Sequence, residues 1–297
     1  LWVILRASAP LAIIPYAFAM IVLVGTTWRL RGAGRSVAAS ALIVVTSLLC
    51  LHVWWFTEPF LADAHGSPTG NTFTVMTANL HIGRADPAAV LGAMDRYGVD
   101  ILVLEEVTPS ALAELDMGGI DRRLDHRAGA PSEGRDGIMV FANEHLHEVG
   151  VIDAATPGYD VEVATGRGPL HILAVHPTAP NNGVAQWSRD LDVVVASARA
   201  SNGPTVVAGD FNATLDHPQL RALMDFDYRD ASADAGLGWR PTWPSPGNIR
   251  LDGVGLPSLF GLDHVFIRGP LEATYARTRA IPGTDHRALV TRISWTD

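Results

Sequence analysis

Two runs without a charged residue, one between Arg6 and Arg29 and one between Arg35 and Glu58, limit what this chain can become. Each is about 20 residues long, enough for a helix to cross roughly 30 Å of hydrocarbon. A backbone inside lipid must satisfy its own N–H and C=O groups, and a helix does so within one segment. The runs are therefore predicted as two transmembrane helices, about 9–28 and 36–57, forming a hairpin within residues 1–58. A buried pair of core helices is the alternative, but the connection Arg-Leu-Arg-Gly-Ala-Gly-Arg suits a loop at a membrane surface better. A cleaved signal peptide fits poorly, because the apolar region is too long and no clean small-residue pattern precedes Trp28. The first residue is Leu rather than Met, as expected of an alternative start codon or of a fragment.

Arg29, Arg31 and Arg35 occupy the short loop, whereas the segment after the second run opens with Glu58 and Asp63 and has no Arg before Arg84. By the positive-inside rule the loop is cytoplasmic and the rest of the chain extracytoplasmic, which makes this an integral, multi-pass protein of the cell membrane. Trp54, Trp55 and Phe56 suit the outer interfacial belt. Residues 59–71, rich in Gly, Ser, Pro, Thr and His toward Asn71, read as a polar linker, and a domain is predicted over 72–297.

Composition narrows the partners of that domain. The 22 basic residues are all Arg, and four of them precede Glu58, leaving 18 against 31 acids and a net charge of −13 beyond the hairpin. So acidic a domain lacks the basic stripe of a protein that tracks a nucleic-acid backbone, so nucleic acid is a disfavoured partner. The single cysteine, Cys50, excludes an intramolecular disulfide, a CxxC redox pair and a cysteine metal site. No protein partner is identifiable from the sequence.

Beyond Thr72, apolar or alternating runs predict strands at 72–80, 101–107, 137–142, 161–164, 170–176, 205–209, 263–267 and 288–295. Several are apolar on both faces: Leu170, Ile172 and Ala174 line one side of a strand, and Leu173 and Val175 the other, as in a sheet covered by other layers. Helices fall between them, one capped by Asp86 with Pro87 in its first turn, one over 111–115 capped by Ser110, and one over 182–200. The alternation predicts a layered α/β domain.

Polar residues recur where these strands end. Asn79, Glu106, His176, Asp210 and Asn212 follow apolar runs, while Asp263 and the pair Asp285–His286 open two more. Carboxylates, amides and imidazoles gathered on one rim suit a hard cation and acid–base chemistry. The segments Thr77-Ala78-Asn79-Leu80, Leu104-Glu105-Glu106-Val107, Ala174-Val175-His176, Gly209-Asp210-Phe211-Asn212, Leu262-Asp263-His264-Val265 and Thr284-Asp285-His286 carry a resemblance. In order and spacing they resemble the endonuclease/exonuclease/phosphatase superfamily from Thr72 nearly to the end.

The resemblance implies a four-layer sandwich, two mixed β-sheets face to face with helices outside, and a site for Mg²⁺ or Mn²⁺ that cleaves phosphate esters. It implies Glu106 as principal metal ligand, with Asn79 beside it and Asp285 contributing. It also implies that Asp210 orients or deprotonates water, that Asn212 bonds the phosphoryl group, and that His286 works paired with Asp263. His176 matches a second histidine that stabilises the phosphate or the leaving oxygen. Glu105 departs from the family, which most often has Gln there, and His81 stands where some nuclease members carry an acid, which puts a second metal position in doubt. Arg135 is expected at the surface, and His126, His145, His147, His171 and His217 as surface or structural residues.

The expectation is a membrane-anchored, metal-dependent hydrolase of a phosphodiester or phosphomonoester, its substrate a lipid headgroup near the bilayer. The alternatives are a membrane-bound extracytoplasmic nuclease and, less favoured, a catalytically inactive binding module. The Gly-Asp-Phe-Asn-Ala-Thr and Leu-Asp-His-Val-Phe segments lack the signatures of inositol polyphosphate 5-phosphatases.

Overall fold

The computed structural model describes residues 2–57, 60 and 71–296. A short helix α1 (Trp2–Ala7) and a 3₁₀ turn lead into α2 (Ile13–Arg29), and α3 (Gly32–Thr57) runs back along it. Tyr16, early in α2, meets the ring of His52, late in α3, at 5.8 Å, so the two helices are antiparallel. The segments Ala9–Arg29 and Gly32–Thr57 have mean hydropathies of 2.0 and 2.1 and are long and apolar enough to cross a membrane. Almost none of their residues is buried, so this pair does not form a protein core. The linker expected over 59–71 lies outside the described residues except for Phe60 and Asn71.

The chain continues through β1 (Thr72–Asn79), α4 (Pro87–Tyr97), β2 (Ile101–Glu105), α5 (Pro109–Met117), β3 (His126–Ala130) and β4 (Ile138–Ala142). Next come β5 (Leu146–Ile152), β6 (Gly158–Thr165), β7 (Gly168–Val175), α6 (Val184–Ala200) and β8 (Thr205–Asp210). It closes with α7 (Pro218–Met224), β9 (Arg229–Asp230), α8 (Ala231–Asp234), β10 (Arg250–Leu251), β11 (Val254–Gly255), β12 (Asp263–Arg268), β13 (Leu271–Ala280) and β14 (Arg287–Trp295).

Two six-stranded sheets result, in the orders β13-β14-β1-β2-β4-β3 and β5-β6-β7-β8-β12-β9. Only β1 with β2 and β7 with β8 are parallel, and α4 and α6 supply the two crossovers such pairs need. The period of two in each strand builds the layers. Val75, Val103, Val140, Ile172, Val206 and Val265 point between the sheets, where they form one core. Their neighbours Met76, Leu102 and Leu104 face Val90, Leu91 and Met94 of α4 on one outer side. Leu173, Val207 and Phe266 face Trp187, Leu191 and Val194 of α6 on the other. The strand read as apolar on both faces is β7, with Leu170, Ile172 and Ala174 in the inner core and Leu173 and Val175 in the outer one. The architecture is the predicted four-layer sandwich.

Helix α4 is capped as expected, the Asp86 carboxylate accepting from the N–H groups of Ala88 and Ala89. Helix α5 corrects the expectation: Thr108, not Ser110, is its cap and accepts from Ala111 N–H, with Pro109 in the first turn. The helix expected over 182–200 runs from Val184, behind a 3₁₀ turn over Pro180–Asn182.

Sheet spacing makes one glycine irreplaceable. At Gly209, φ is +151°, and a Cβ would stand 1.9 Å from the Val175 carbonyl oxygen on the adjacent strand. Gly209→Ala is therefore expected to destabilise the fold by about 2 kcal/mol or more, since backbone must move rather than a side chain. Chemical denaturation of the variant beside the parent checks this, and a midpoint unchanged between the two would refute it.

Candidate active site

The parallel and antiparallel registers bring strand ends of both sheets to one rim. Asn79 ends β1, Glu106 follows β2, and β14 begins just after His286, all in the first sheet. His176 follows β7, Asp210 ends β8 and Asp263 begins β12 in the second, where Asp263 pairs directly with Asp210. All six of these residues are buried, and Asn79, Glu106, His176, Asp210, Asn212, Asp285 and His286 line one cavity of about 610 Å³.

Two links cross from sheet to sheet. The Asn79 Nδ2 group donates to Asp210 Oδ2 at 3.0 Å and to Glu106 Oε1 at 3.3 Å, while its Oδ1 accepts from His81 N–H at 2.8 Å. His286 Nδ1 lies 2.9 Å from Asp263 Oδ2, and its Nε2 lies 3.6 Å from Asp210 Oδ2. Burial opposes charge on the His286 ring, but Asp263, Asp210 and the Asp263 hydrogen bond outweigh it and raise its pKa to about 10. At neutral pH His286 is an imidazolium paired with a carboxylate.

Glu106 leaves its strand with φ of +54°, an uncommon left-handed conformation for a side chain of this size. That turn aims the carboxylate inward, where Ile82 N–H donates to Oε2 at 2.7 Å. Asn212 adopts φ of +49°, its N–H donating to Asp210 Oδ1 at 2.8 Å and one hydrogen of its amide to the Pro177 carbonyl at 3.1 Å. The second amide hydrogen has no such partner among the described residues. His176 Nδ1 meets the Arg135 carbonyl at 3.1 Å, so Nε2 points toward Asp210 at 3.6 Å and Glu106 at 3.8 Å. Arg135 is exposed, as expected, and it also borders the cavity.

Asp285 lies at the mouth, its Oδ2 accepting from Trp243 Nε1 at 3.3 Å and its Oδ1 3.4 Å from His81 Nδ1. Three threonines anchor the rim from behind. Thr284 donates to the Asn79 carbonyl at 2.7 Å, Thr242 accepts the Leu262 and Asp263 N–H groups, and Thr77 donates to Glu105 at 2.6 Å. Sequence reasoning named Thr284 and Thr77 only as parts of motifs and missed Thr242 and Trp243, whose roles depend on loop contacts across about 20 to 40 residues.

Helix α1 was not anticipated at all. Its Val3, Ile4 and Ala7 border the same cavity, and the Val3 carbonyl lies 3.2 Å from Nε2 of the buried His217. His217 is thus structural, as expected, and it tethers the N-terminus to the catalytic rim. In the sequence α1 is simply more apolar chain before the first span.

The donor set suits a hard divalent cation. Glu106, Asp210 and Asp285 line the cavity and offer oxygen ligands, with Asp263 behind His286 and with His286 and Arg135 as positive groups on the same lining. Asp210, Asp263 and His286 also bring one ligand atom each within 4.8 Å of one another, but His286 Nδ1 and Asp263 already satisfy each other.

The model of the endonuclease/exonuclease/phosphatase family matches residues 76–286. The chain belongs to that family. Members of that family are divalent-metal-dependent, and this chain is a hydrolase of the same superfamily, with a candidate Asp/His metal site. No curated protein matches the sequence. Among solved structures, TDP2 of D. rerio complexed with a single-strand DNA product has a TM-score of 0.61 at 14% identity, covering 75% of this chain and 99% of its own. Truncated TDP2 of Caenorhabditis elegans has a TM-score of 0.58 at 19% identity, with coverages of 76% and 98%. The endonuclease/exonuclease/phosphatase from Beutenbergia cavernae DSM 12333 has 0.55 at 18%, with 76% and 72%. These likenesses establish a shared fold.

Glu105, the departure from the family pattern, is fully buried beneath the site. One oxygen accepts from Thr77, and the other has no hydrogen-bond partner among the described residues. Burial raises its carboxyl well above the usual range, Thr77 opposes this, and Asp263 and Asp210 add to it. An acid whose folded pKa is raised contributes stability that is present below its unfolded pKa and lost as pH rises through the folded one. Melting temperature should thus fall from mild acid toward alkaline pH, and Glu105→Gln, a neutral isostere, should flatten that slope. Thermal melts from about pH 5 to about pH 9 check it, and parallel curves for both proteins would mean that Glu105 is ionised in the fold.

Proposed function

We propose that this chain is a membrane-anchored, Mg²⁺- or Mn²⁺-dependent phosphohydrolase whose substrate is a lipid carrying a phosphate ester in its headgroup. The observation that carries this reading is the shared cavity: Val3, Ile4 and Ala7 of α1 border the same space as Glu106, His176 and His286. Trp2, Ile4 and Leu5 are exposed beside the start of the first apolar span, as in a short helix lying in a bilayer interface. A substrate held in that interface meets the site without leaving the membrane, and tethering keeps its effective concentration high.

Glu106 would hold the cation with Asp285, while Asn79 keeps Glu106 and Asp210 together. When bound, the cation neutralises charge on the non-bridging phosphate oxygens. Asp210, oriented by Asn79 and Asn212 N–H, accepts a proton from the attacking water. The free amide hydrogen of Asn212 is available to the phosphoryl group. His286, kept charged by Asp263, stabilises negative charge and donates to the leaving oxygen, and His176 Nε2 faces the same centre. The net charge of −13 outside the hairpin disfavours a long nucleic-acid track.

Full-length protein in detergent should hydrolyse bis-p-nitrophenyl phosphate with Mg²⁺ or Mn²⁺ and lose activity with EDTA. Glu106→Gln and His286→Ala should each lower kcat/KM by about a hundredfold or more. Activity unaffected by both substitutions would dismiss the site and leave a binding module. Phospholipid turnover should exceed plasmid nicking, and nicking without lipid turnover would replace the lipid reading with a nuclease.

The Arg29, Arg31 and Arg35 loop would be cytoplasmic and the catalytic domain extracytoplasmic. A C-terminal alkaline phosphatase fusion is expected to be active and a green fluorescent fusion dark. The reverse pattern would invert the topology without touching the chemistry.

A further inference from the structure

A second cavity, of about 620 Å³, lies between the hairpin and the sandwich, and Asp263 is the one residue given a chemical role above that borders it. Ala7, Pro10, Trp55 and Phe56 contribute one side and Met224 and Trp239 another. Phe56 and Trp239 touch edge to face with ring centres 5.9 Å apart, so the cavity is level with the end of the second apolar span. Aromatic side chains at that depth mark the headgroup zone of a bilayer.

Charge in this cavity is not balanced. Its acids are already engaged: Asp216 faces Arg221 at 3.6 Å, Asp230 pairs with His264 at 3.1 Å, Asp234 holds Arg229 at 2.7 Å, and Asp263 holds His286. Arg240 is the exception among the lining cations. It is half-buried, its one hydrogen bond runs to the Trp239 carbonyl at 3.4 Å, and it has no acidic partner among the described residues. Burial disfavours its charge, and Arg277 close by disfavours it further, with Tyr275 alone offsetting in part. A half-buried guanidinium with no carboxylate partner among the described residues, beside an apolar recess, forms a binding site for an amphiphilic anion.

We propose that the cavity beside Arg240 and Trp239 holds the phosphate headgroup and upper chain of an anionic phospholipid from the anchoring bilayer. This rests on the reading that the hairpin spans a membrane, and it concerns a site separate from the catalytic cleft. The volume matches a small-molecule pocket, enough for the head and glycerol of a lipid whose chains continue along the hairpin. Arg240 would take the phosphate oxygens, Trp239 and Phe56 the apolar part. Such a lipid would fix the domain against the bilayer at a point beside the catalytic rim.

Native mass spectrometry of the full chain released from detergent micelles, titrated with phosphatidylglycerol or phosphatidylcholine, tests the proposal. The parent should retain one phosphatidylglycerol about tenfold more tightly than phosphatidylcholine. Arg240→Gln should erase that preference, Trp239→Ala should weaken both lipids, and Glu106→Gln should leave retention as in the parent. Equal retention of the two lipids, or an undiminished preference in Arg240→Gln, overturns the proposal. Loss of the bound lipid in Glu106→Gln overturns it too, by assigning that lipid to the catalytic cleft. Flotation of the protein with liposomes separately tests the membrane reading, so its failure is distinguishable from failure of the lipid site.

Discussion

The Asn79 amide nitrogen touches a carboxylate from each sheet, Glu106 beyond β2 and Asp210 at the end of β8. A second bond, from His286 to Asp263, also crosses between the sheets. Neither is possible unless the inner core of valines, isoleucines and leucines sets the separation and slide of the two sheets. A slip of one strand by one residue in its pairing register would turn its side chains to the wrong face. Packing and chemistry are thus coupled through a few short hydrogen bonds, and the apolar interior acts as the jig that keeps ionisable groups at working distance.

The same arrangement explains how so many polar groups remain out of water. Asp263 is buried, but His286 faces it and Thr242 satisfies its backbone N–H. Asp210 draws on Asn79 and on the N–H of Asn212. Glu105 Oε2 and Asp263 Oδ1 have no hydrogen-bond partner among the described residues, and burial pushes both carboxyls up from their usual range. Burial favours the neutral form of both Glu105 and His286: it pushes the Glu105 carboxyl well up, while the carboxylates around His286 overcome it and keep that ring charged.

Most of the sandwich was legible in the sequence because its central strands are buried on both faces and read as unbroken apolar runs. In the two large sheets the strands that escaped are all at the edges, β3 and β13 in the first and β5 and β9 in the second, and the short pair β10–β11, a sheet of its own, escaped as well. Edge strands carry polar and charged side chains that blunt unwanted pairing, and the Leu271–Ala280 strand includes Arg277 and Arg279. Its alternation is further broken by an irregularity between Ala273 and Tyr275. Site residues were legible where a motif sits at a strand end, as with Glu106, Asp210 and His286. Supports such as Thr242, and the approach of α1, come from contacts distant in sequence and leave no local pattern.

Helix α1 has a bearing on how the enzyme is divided. Because Val3, Ile4 and Ala7 border the cavity that holds Glu106, and the Val3 carbonyl meets His217, helix α1 is one wall of that cavity, the reaction chamber on the function proposed above. A truncated form starting at Asn71 would retain both sheets and all the ionisable groups, yet its chamber would be open along that side. Apolar groups of a substrate would lose their contact surface there, while the phosphate would still find its partners. Such a fragment would be a less selective catalyst than the whole chain, with selectivity residing in a segment that contributes no reactive atom.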